Sequence, residues 1–303
     1  MIDFQRFPPE QRERFAPWLE LASHRGCAFS FANLCMWGHQ RFAFVDEFLV
    51  IFSHYNGHTM YQFPIGSGEA KPVLDKILAD AGKRGIPCRI ACLTAREKEL
   101  LEAYYPGQFR FHCERDSFDY VYDIHDLADL KGKKFQPKRN HVNRFLTDYP
   151  DAYILPLDEV TLPDCMDFTR RWFARRTEED PTADFHMEQL ALDRAYAHFR
   201  ELGLEGLVLY ADGRLVAMTM GSFLSEDTVD VHFEKADPDY GAAYAVINRA
   251  FARYIREKHP QVKYLDREED MGSPGLRKAK LSYQPHHLVE KCWGHYTGEG
   301  FCD

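Results

Sequence analysis

The run Val229-Asp230-Val231-His232-Phe233-Glu234 places a titratable side chain at every second position. In a strand, period-two alternation puts Asp230, His232 and Glu234 on one face and Val229, Val231 and Phe233 on the other. A histidine or carboxylate whose proton affinity lies near neutrality can take a proton from an attacking amine or hydroxyl. His232 and Glu234 are therefore candidate catalytic groups, while Asp230 reads more simply as part of a solvated sheet face.

A second constellation is Arg267-Glu268-Glu269-Asp270, followed across Met271-Gly272-Ser273-Pro274-Gly275 by Arg277, Lys278 and Lys280. The acids end a strand and the bases share one short helix. Lys278 and Lys280 can grip a phosphate. Mutual neutralisation is the plainer reading, strongest for Glu268. A third group, Lys138-Arg139-Asn140-His141, lies on a basic helix able to meet phosphates or to act as a connector salt-bridged to acidic neighbours. Arg170, Arg171, Arg175 and Arg176 lie on an amphipathic helix and read as solvated surface. Adjacent His286 and His287 point to opposite faces if they lie on a strand, so no metal is implied.

These groups sit in a chain of 303 residues, which suits two domains of about 150 residues each. The hydrophobic share of 45% and 23 phenylalanines exclude disorder and indicate ring-rich cores. The formal charge of −9 disfavours DNA binding. Residues 131–150 depart from that balance, with six basic residues against Asp148 alone. No run approaches the roughly 20 apolar residues that span a bilayer, and the N-terminus carries no signal pattern; a cytoplasmic location is expected. The eight cysteines form no Cys-x-x-Cys pair and read as reduced thiols, mostly core filler.

Periodicity predicts a helix over Pro9–Arg25, then strands Arg41–Val45, Phe48–Tyr55 and His58–Ile65, the last two joined by an Asn56-Gly57 turn. A helix over Lys71–Arg84 and a strand over Arg89–Leu93 come next. Thr94-x-x-Glu97 is a capping box that opens a further helix to Tyr105. Strands Phe109–Cys113 and Phe118–Tyr122 close this half. After a helix near Pro137–Thr147, the second half begins with a strand, Tyr153–Leu157, and helices Leu162–Arg176 and Asp184–Leu202. Strands Leu207–Tyr210, Leu215–Phe223 and Val229–Phe233 precede a helix over Ala242–Lys258. A strand Val262–Leu265, a helix Leu276–Tyr283 and a strand Leu288–Trp293 end it. Both halves contain three antiparallel strands, then helix, strand, helix, strand. That is the GNAT order, so the expected fold class is α+β: two tandem GNAT-like half-domains, each a mixed, mostly antiparallel sheet flanked by helices. The divisions are 1–130, a basic linker helix at 131–150, and 151–303.

Three blocks carry a family resemblance: Leu130 to Phe145, Val231-His232-Phe233-Glu234-Lys235-Ala236-Asp237 continuing through Gly241 to Arg249, and Asp266 to Pro285. Together they resemble bacterial proteins named for the C-terminal domain of phosphatidylglycerol lysyltransferase, a tandem GNAT-like fold related to Fem-type transferases. The resemblance implies transfer of an aminoacyl group from charged tRNA to an amine or hydroxyl acceptor, with an anionic lipid or cell-wall precursor as acceptor. It makes Lys235, Asn248, Arg267, Glu269, Asp270, Arg277, Lys278 and Lys280 candidate substrate-binding residues, Glu269 or Asp270 taking the positive amino group of the donor. Lys138, Arg139 and His141 become candidate phosphate or tRNA contacts. The lysyltransferases proper carry a membrane-embedded flippase region that has no counterpart here.

The alternative donor is acetyl-CoA. GNAT enzymes hold its diphosphate at the turn into the helix corresponding to Ala242–Lys258. Here Asp237-Pro238-Asp239-Tyr240 precedes Gly241, and two acids would repel a diphosphate. In the first half, Gly66-Ser67-Gly68 is a weaker phosphate-cradle candidate. A non-catalytic binding protein that kept the fold is the third possibility.

Overall fold

The computed structural model describes residues 1–55, 57–182 and 184–298. Asn56 and Cys302 lie outside the described residues. Two sheets carry the architecture. The first runs in the order Gln5–Arg6, Gln40–Val45, Phe48–Tyr55, His58–Gln62, Arg89–Leu93, Cys292–Tyr296, Phe109–Cys113, with short Ile65–Gly66 beside Phe48 and Leu49. The second runs His287–Val289, Asp119–Asp123, Tyr264–Asp266, Thr228–Ala236, Arg214–Ser225, Glu205–Ala211, Tyr153–Pro156. His58–Gln62 with Arg89–Leu93 and Thr228–Ala236 with Tyr264–Asp266 pair in parallel.

Each half repeats one order. Gln40–Val45, Phe48–Tyr55 and His58–Gln62 lead into the helix Lys71–Arg84, the strand Arg89–Leu93, the helix Ala95–Tyr104 and the strand Phe109–Cys113. Glu205–Ala211, Arg214–Ser225 and Thr228–Ala236 lead likewise into Ala243–Lys258, Tyr264–Asp266, Pro274–Leu281 and His287–Val289. This is the tandem α+β arrangement expected from the patterning. Local signals act as chemistry requires. The Thr94 hydroxyl accepts from the Glu97 N–H while the Glu97 carboxylate accepts from the Thr94 N–H. Gly85 ends the preceding helix in the left-handed region at φ 67°.

The closing strands differ from the sequence expectation, because the halves exchange them. Asp119–Asp123 lies in the second sheet, between Tyr264–Asp266 and His287–Val289. The single strand expected near Leu288–Trp293 is two strands, and the second, Cys292–Tyr296, crosses into the first sheet between Arg89–Leu93 and Phe109–Cys113. Asp119, Tyr120, Val121 and Tyr122 are all buried, a pattern that needs neighbours on both edges and cover on both faces. The crossing sets Cys292 opposite Cys113, and the two form a disulfide, so these two cysteines are not the free thiols expected.

The cores follow the same logic. One joins the halves: Phe15, Phe31 and Leu49 from the first pack with Val208, Met218 and Phe233 from the second. A second core lies under the helices Ile124–Asp129, Gln136–Asp148 and Ala243–Lys258 on the opposite face of the second sheet. Among the described residues, no helix is long and apolar enough to cross a membrane.

Candidate functional site

Pairing of Thr228–Ala236 with Arg214–Ser225 slips between Met220 opposite Phe233 and Gly221 opposite Val231, leaving His232 as the extra residue of a bulge. Gly221 permits the close approach: a Cβ there would stand 2.3 Å from the Asp230 carbonyl oxygen. The bulge reverses the alternation. Val229 and Val231 pack under the helices, whereas Phe233 enters the core shared by the halves. Asp230 and His232 consequently face the first half, and Glu234 faces the other way. The expectation that His232 and Glu234 share a face is thus corrected, the cause being one residue of register.

On the Glu234 side, the parallel strands Thr228–Ala236 and Tyr264–Asp266 are paired only as far as Asp230 and Asp266. Beyond that point, Glu234 and Arg267 lie across the divergence. The Arg267 guanidinium donates to Glu234 Oε1 at 2.8 Å, and the Asn248 amide donates to Glu234 Oε2 at 3.1 Å. Arg267 lies over the Tyr122 and Tyr283 rings, and Lys138 Nζ stands 3.9 Å from the Tyr283 ring centre. Burial pulls the Arg267 guanidinium down, but Glu234 together with Tyr122 and Tyr283 more than offsets it and holds the group raised. Lys138, partly buried beside Arg267, is held below its ordinary range. Four predicted residues, Glu234, Asn248, Arg267 and Lys138, therefore meet here.

On the His232 side, Asp230, His232 and Glu268 converge. His232 Nδ1 lies 3.3 Å from Asp230 Oδ2 and 3.5 Å from Glu268 Oε1, and Nε2 is 2.8 Å from the Ser222 hydroxyl. The Asn33 amide, reaching from the first half, donates to Asp230 Oδ2 at 3.2 Å and to Glu268 Oε1 at 2.8 Å. Burial, and then the neighbouring carboxylates, push Asp230 and Asp266 well above the usual range. Alongside sits Lys291, whose ammonium lies 2.6 Å from Asp119 Oδ1, 2.9 Å from Glu269 Oε2 and 3.0 Å from Cys27 Sγ. Burial lowers the Lys291 proton affinity, but Asp119, Cys27 and Glu269 outweigh it and hold it well above normal. Two acids share this one cation. Burial raises Glu269, yet Lys291 holds it down to about 2, and Asp119, buried beside Glu269, is pushed up to about 7.

Most of the other candidates make contacts within the fold. Asp270 accepts two bonds from Arg277, at 2.7 and 2.8 Å, and one from Tyr120 at 2.5 Å, and Arg277 also reaches Asp116. Lys280 donates to the Arg267 and Glu268 carbonyls, fixing the turn after Asp266. Lys235 is buried against Trp172, 3.9 Å from its ring centre, and pairs with Glu188 at 2.8 Å. Arg139 donates to the Leu130 and Gly132 carbonyls, tying down the linker rather than pointing outward. Lys278 and His141 are exposed.

At the turn into Ala243–Lys258, Arg175 donates to both oxygens of Asp239, at 2.8 and 3.0 Å, and lies 3.4 Å from Asp237. Arg175 is thus more than solvated surface, and it crosses the place where a diphosphate would sit. Gly66 pairs with Phe48 in the sheet and forms no cradle. His286 precedes the strand instead of lying within it, and its Nδ1 approaches His287 Nδ1 at 2.9 Å, so the two rings do not diverge as expected. Sequence reasoning missed Asp119, Lys291, Cys27, Asn33 and Ser222. They come from four separated segments, and only the strand exchange and the shared core bring them together. Asp119 beside two tyrosines in a fully buried strand was the one available signal.

A twin sheet repeat with a polar cluster at the parting of a parallel pair defines a tandem GNAT-like protein. The chain belongs to the family described as "Phosphatidylglycerol lysyltransferase, C-terminal", which matches residues 19–293. A conserved protein of unknown function from Bacteroides thetaiotaomicron superposes with a TM-score of 0.91 at 38% identity, covering 98% of this chain and 100% of that one. L-PGS from Bacillus licheniformis shares the fold at a TM-score of 0.65 and 14% identity, over 96% of this chain and 93% of that one. FemX does so at 0.63 and 10% identity, over 97% of each. An uncharacterized protein of Mycoplasmoides gallisepticum is 28% identical over 201 residues, 66% of this chain and 62% of that protein, so the match spans less than two thirds of that relative's length.

Proposed function

We propose that the chain is an aminoacyltransferase that passes an aminoacyl group from charged tRNA to an amine or hydroxyl acceptor. The observation that carries this reading is the Glu234–Arg267–Asn248 cluster at the parting of the parallel strands. Family membership points to the same chemistry. In this reading the acceptor nitrogen or oxygen attacks the ester carbonyl, and Glu234 takes the proton the acceptor loses. The ester oxygen then leaves on the ribose with a proton. Arg267 and Asn248 orient the carboxylate, and the tyrosine rings wall the acyl group. His232, on the opposite face, is assigned no proton transfer at this cluster. Lys138, His141 and Lys278 are the basic groups left for phosphates of the tRNA. Half-domains at 1–130 and 151–303, joined by 131–150, belong to the same reading, as does a cytoplasmic location where charged tRNA is found.

Acetyl-CoA is disfavoured as donor by the Arg175–Asp239 pair, which fills the diphosphate turn with a satisfied ion pair. The test incubates the purified chain with radiolabelled lysyl-tRNA, then other aminoacyl-tRNAs, and vesicles containing phosphatidylglycerol. Transfer of label to lipid or to an added amine is the expected result. A saturable thermal shift with acetyl-CoA, together with acetyl transfer and no aminoacyl transfer, would overturn the reading.

A further inference from the structure

Two buried clusters lie side by side between the halves, and they are neutralised differently. In the first, Cys27, Asp119 and Glu269 surround the Lys291 ammonium, so the chain supplies its own cation. In the second, Asp230, His232 and Glu268 bring one ligand atom each to within 4.8 Å of the others, and among the described residues no lysine or arginine forms an ion pair with Asp230 or Glu268. Lys291 acts on Asp230 and Asp266 as a charge at longer range, and the Lys280 head is spent on backbone carbonyls. His232 Nδ1, Asp230 Oδ1 and Asp266 Oδ2 are buried without a hydrogen-bond partner, and the side chains of His232, Asp230 and Asp266 are at most 1% exposed, with all of Asp266 at 0%.

Orphaned buried acceptors are costly, and buried charges in proteins are paired or bind metals. When Nε2–H donates to Ser222, the Nδ1 lone pair faces the two carboxylates. Asn33 already donates to Asp230 Oδ2 and Glu268 Oε1, but His232 Nδ1 and Asp230 Oδ1 stay without a hydrogen-bond partner, and a cation would satisfy both. Fixing one ring nitrogen with a hydroxyl is also how proteins orient a metal-binding imidazole.

We infer that Asp230, His232 and Glu268 form a binding site for one divalent metal ion, of the zinc or manganese type, with Asp266 flanking it. One imidazole and carboxylates suit those ions better than magnesium or calcium, which prefer all-oxygen sites. The Glu268 side chain is 18% exposed, which leaves the site an opening to solvent. The site stands apart from the Glu234 cluster and does not rest on the aminoacyltransferase reading.

The test uses the full chain, free of any affinity tag, stripped with chelator and titrated with zinc, manganese and, for comparison, magnesium by calorimetry and thermal melting. Zinc or manganese should bind at one equivalent and raise the melting temperature, with magnesium weaker. Asp230→Asn and His232→Gln should each weaken binding by about 100-fold or more. Ser222→Ala, which keeps all ligands but frees Nε2, should weaken it by roughly 10- to 100-fold. Removing one carboxylate from an uncompensated group should leave metal-free Asp230→Asn melting no lower than the metal-free parent, which separates lost binding from lost folding. Absence of saturable binding in the parent chain, or unchanged affinity in Asp230→Asn and His232→Gln, overturns the site. A thermal shift with a primary amine such as lysinamide, and none with either metal, also overturns it and reassigns the carboxylates to an ammonium group.

Discussion

On the face of Thr228–Ala236 turned toward the first half, Asp230 and His232 are nearly sealed and meet groups from distant segments. On the opposite face, Glu234 pairs with Arg267 and Asn248 beside the half-exposed Lys138. The residue types hardly differ between the faces. What differs is where the counter-charge comes from. Toward the first half the counter-charge is Lys291, which an exchanged segment brings to Asp119 and Glu269 but not into an ion pair with Asp230 or Glu268. On the Glu234 face it comes from Arg267 at the neighbouring strand end of the same half, beside the partly exposed Lys138.

The sharpest break of that contrast is Lys291→Met. It leaves Asp119 and Glu269 buried without their cation, and removing one partner of a buried pair costs about 3 kcal/mol or more. Urea denaturation at neutral pH measures this, and adding Asp119→Asn should recover part of the loss. A cost below about 1 kcal/mol would mean that the cluster does not hold the halves together, and the two faces would then differ only in exposure.

Glu234→Gln probes the other face. Glutamine keeps one acceptor oxygen, for Arg267, and its NH2 can donate to Asn248 Oδ1 once that amide turns over, so the stability cost should be moderate, about 1–3 kcal/mol. Loss of the base should lower the rate of aminoacyl transfer by about 100-fold, chiefly in kcat. Unchanged kcat would remove Glu234 from the chemistry and leave it a partner that positions Arg267.

A gentler effect concerns pH. Asp119, flanked by Lys291, Glu269 and Cys27, has its carboxyl raised to about 7, while in the unfolded chain it titrates near the ordinary value of about 3.9. Between these values the folded state holds a proton that the unfolded state releases. Asp119 therefore stabilises the fold most at the acid end of the window, and its contribution falls as pH rises from about 4 to about 7 and then levels. The difference in stability between the parent and Asp119→Asn, followed across that window, should show this slope. A flat difference would mean that Lys291 keeps Asp119 ionised throughout.

Much of the fold was legible because its local signals agree with the tertiary structure. The capping box at Thr94 and the helix Lys71–Arg84 lie where propensity and periodicity set them. Phe31–Met36 was missed because five of its six residues are buried, so it shows no amphipathic period. The strand exchange was illegible because pairing partners such as Cys113 and Cys292 are 179 residues apart, and nothing local distinguishes the sheet a strand will join. In the candidate site, the types of Glu234, Asn248 and Arg267 were readable, but their separation from His232 turned on a single bulge. Gly221 was its only trace in the sequence, since a lone glycine in a strand often marks such a site.

The smallest expected effect is at the turn before Ala243–Lys258. Arg175 and Asp239 are both well exposed, so Arg175→Ala should leave the melting temperature nearly unchanged, and any difference should shrink with added salt. The informative measurement is a thermal-shift titration of that variant with acetyl-CoA. Asp237 and Asp239 remain after the arginine is removed, with only Arg214 near them, and less neutralised carboxylates repel a diphosphate more strongly than the paired ones do. The variant should therefore bind acetyl-CoA no better than the parent chain. If Arg175→Ala instead gained a saturable shift, the turn would be a diphosphate site blocked by one side chain. The open face of the strand would then serve an acyl-CoA donor, and the contrast between the faces would survive with a different substrate.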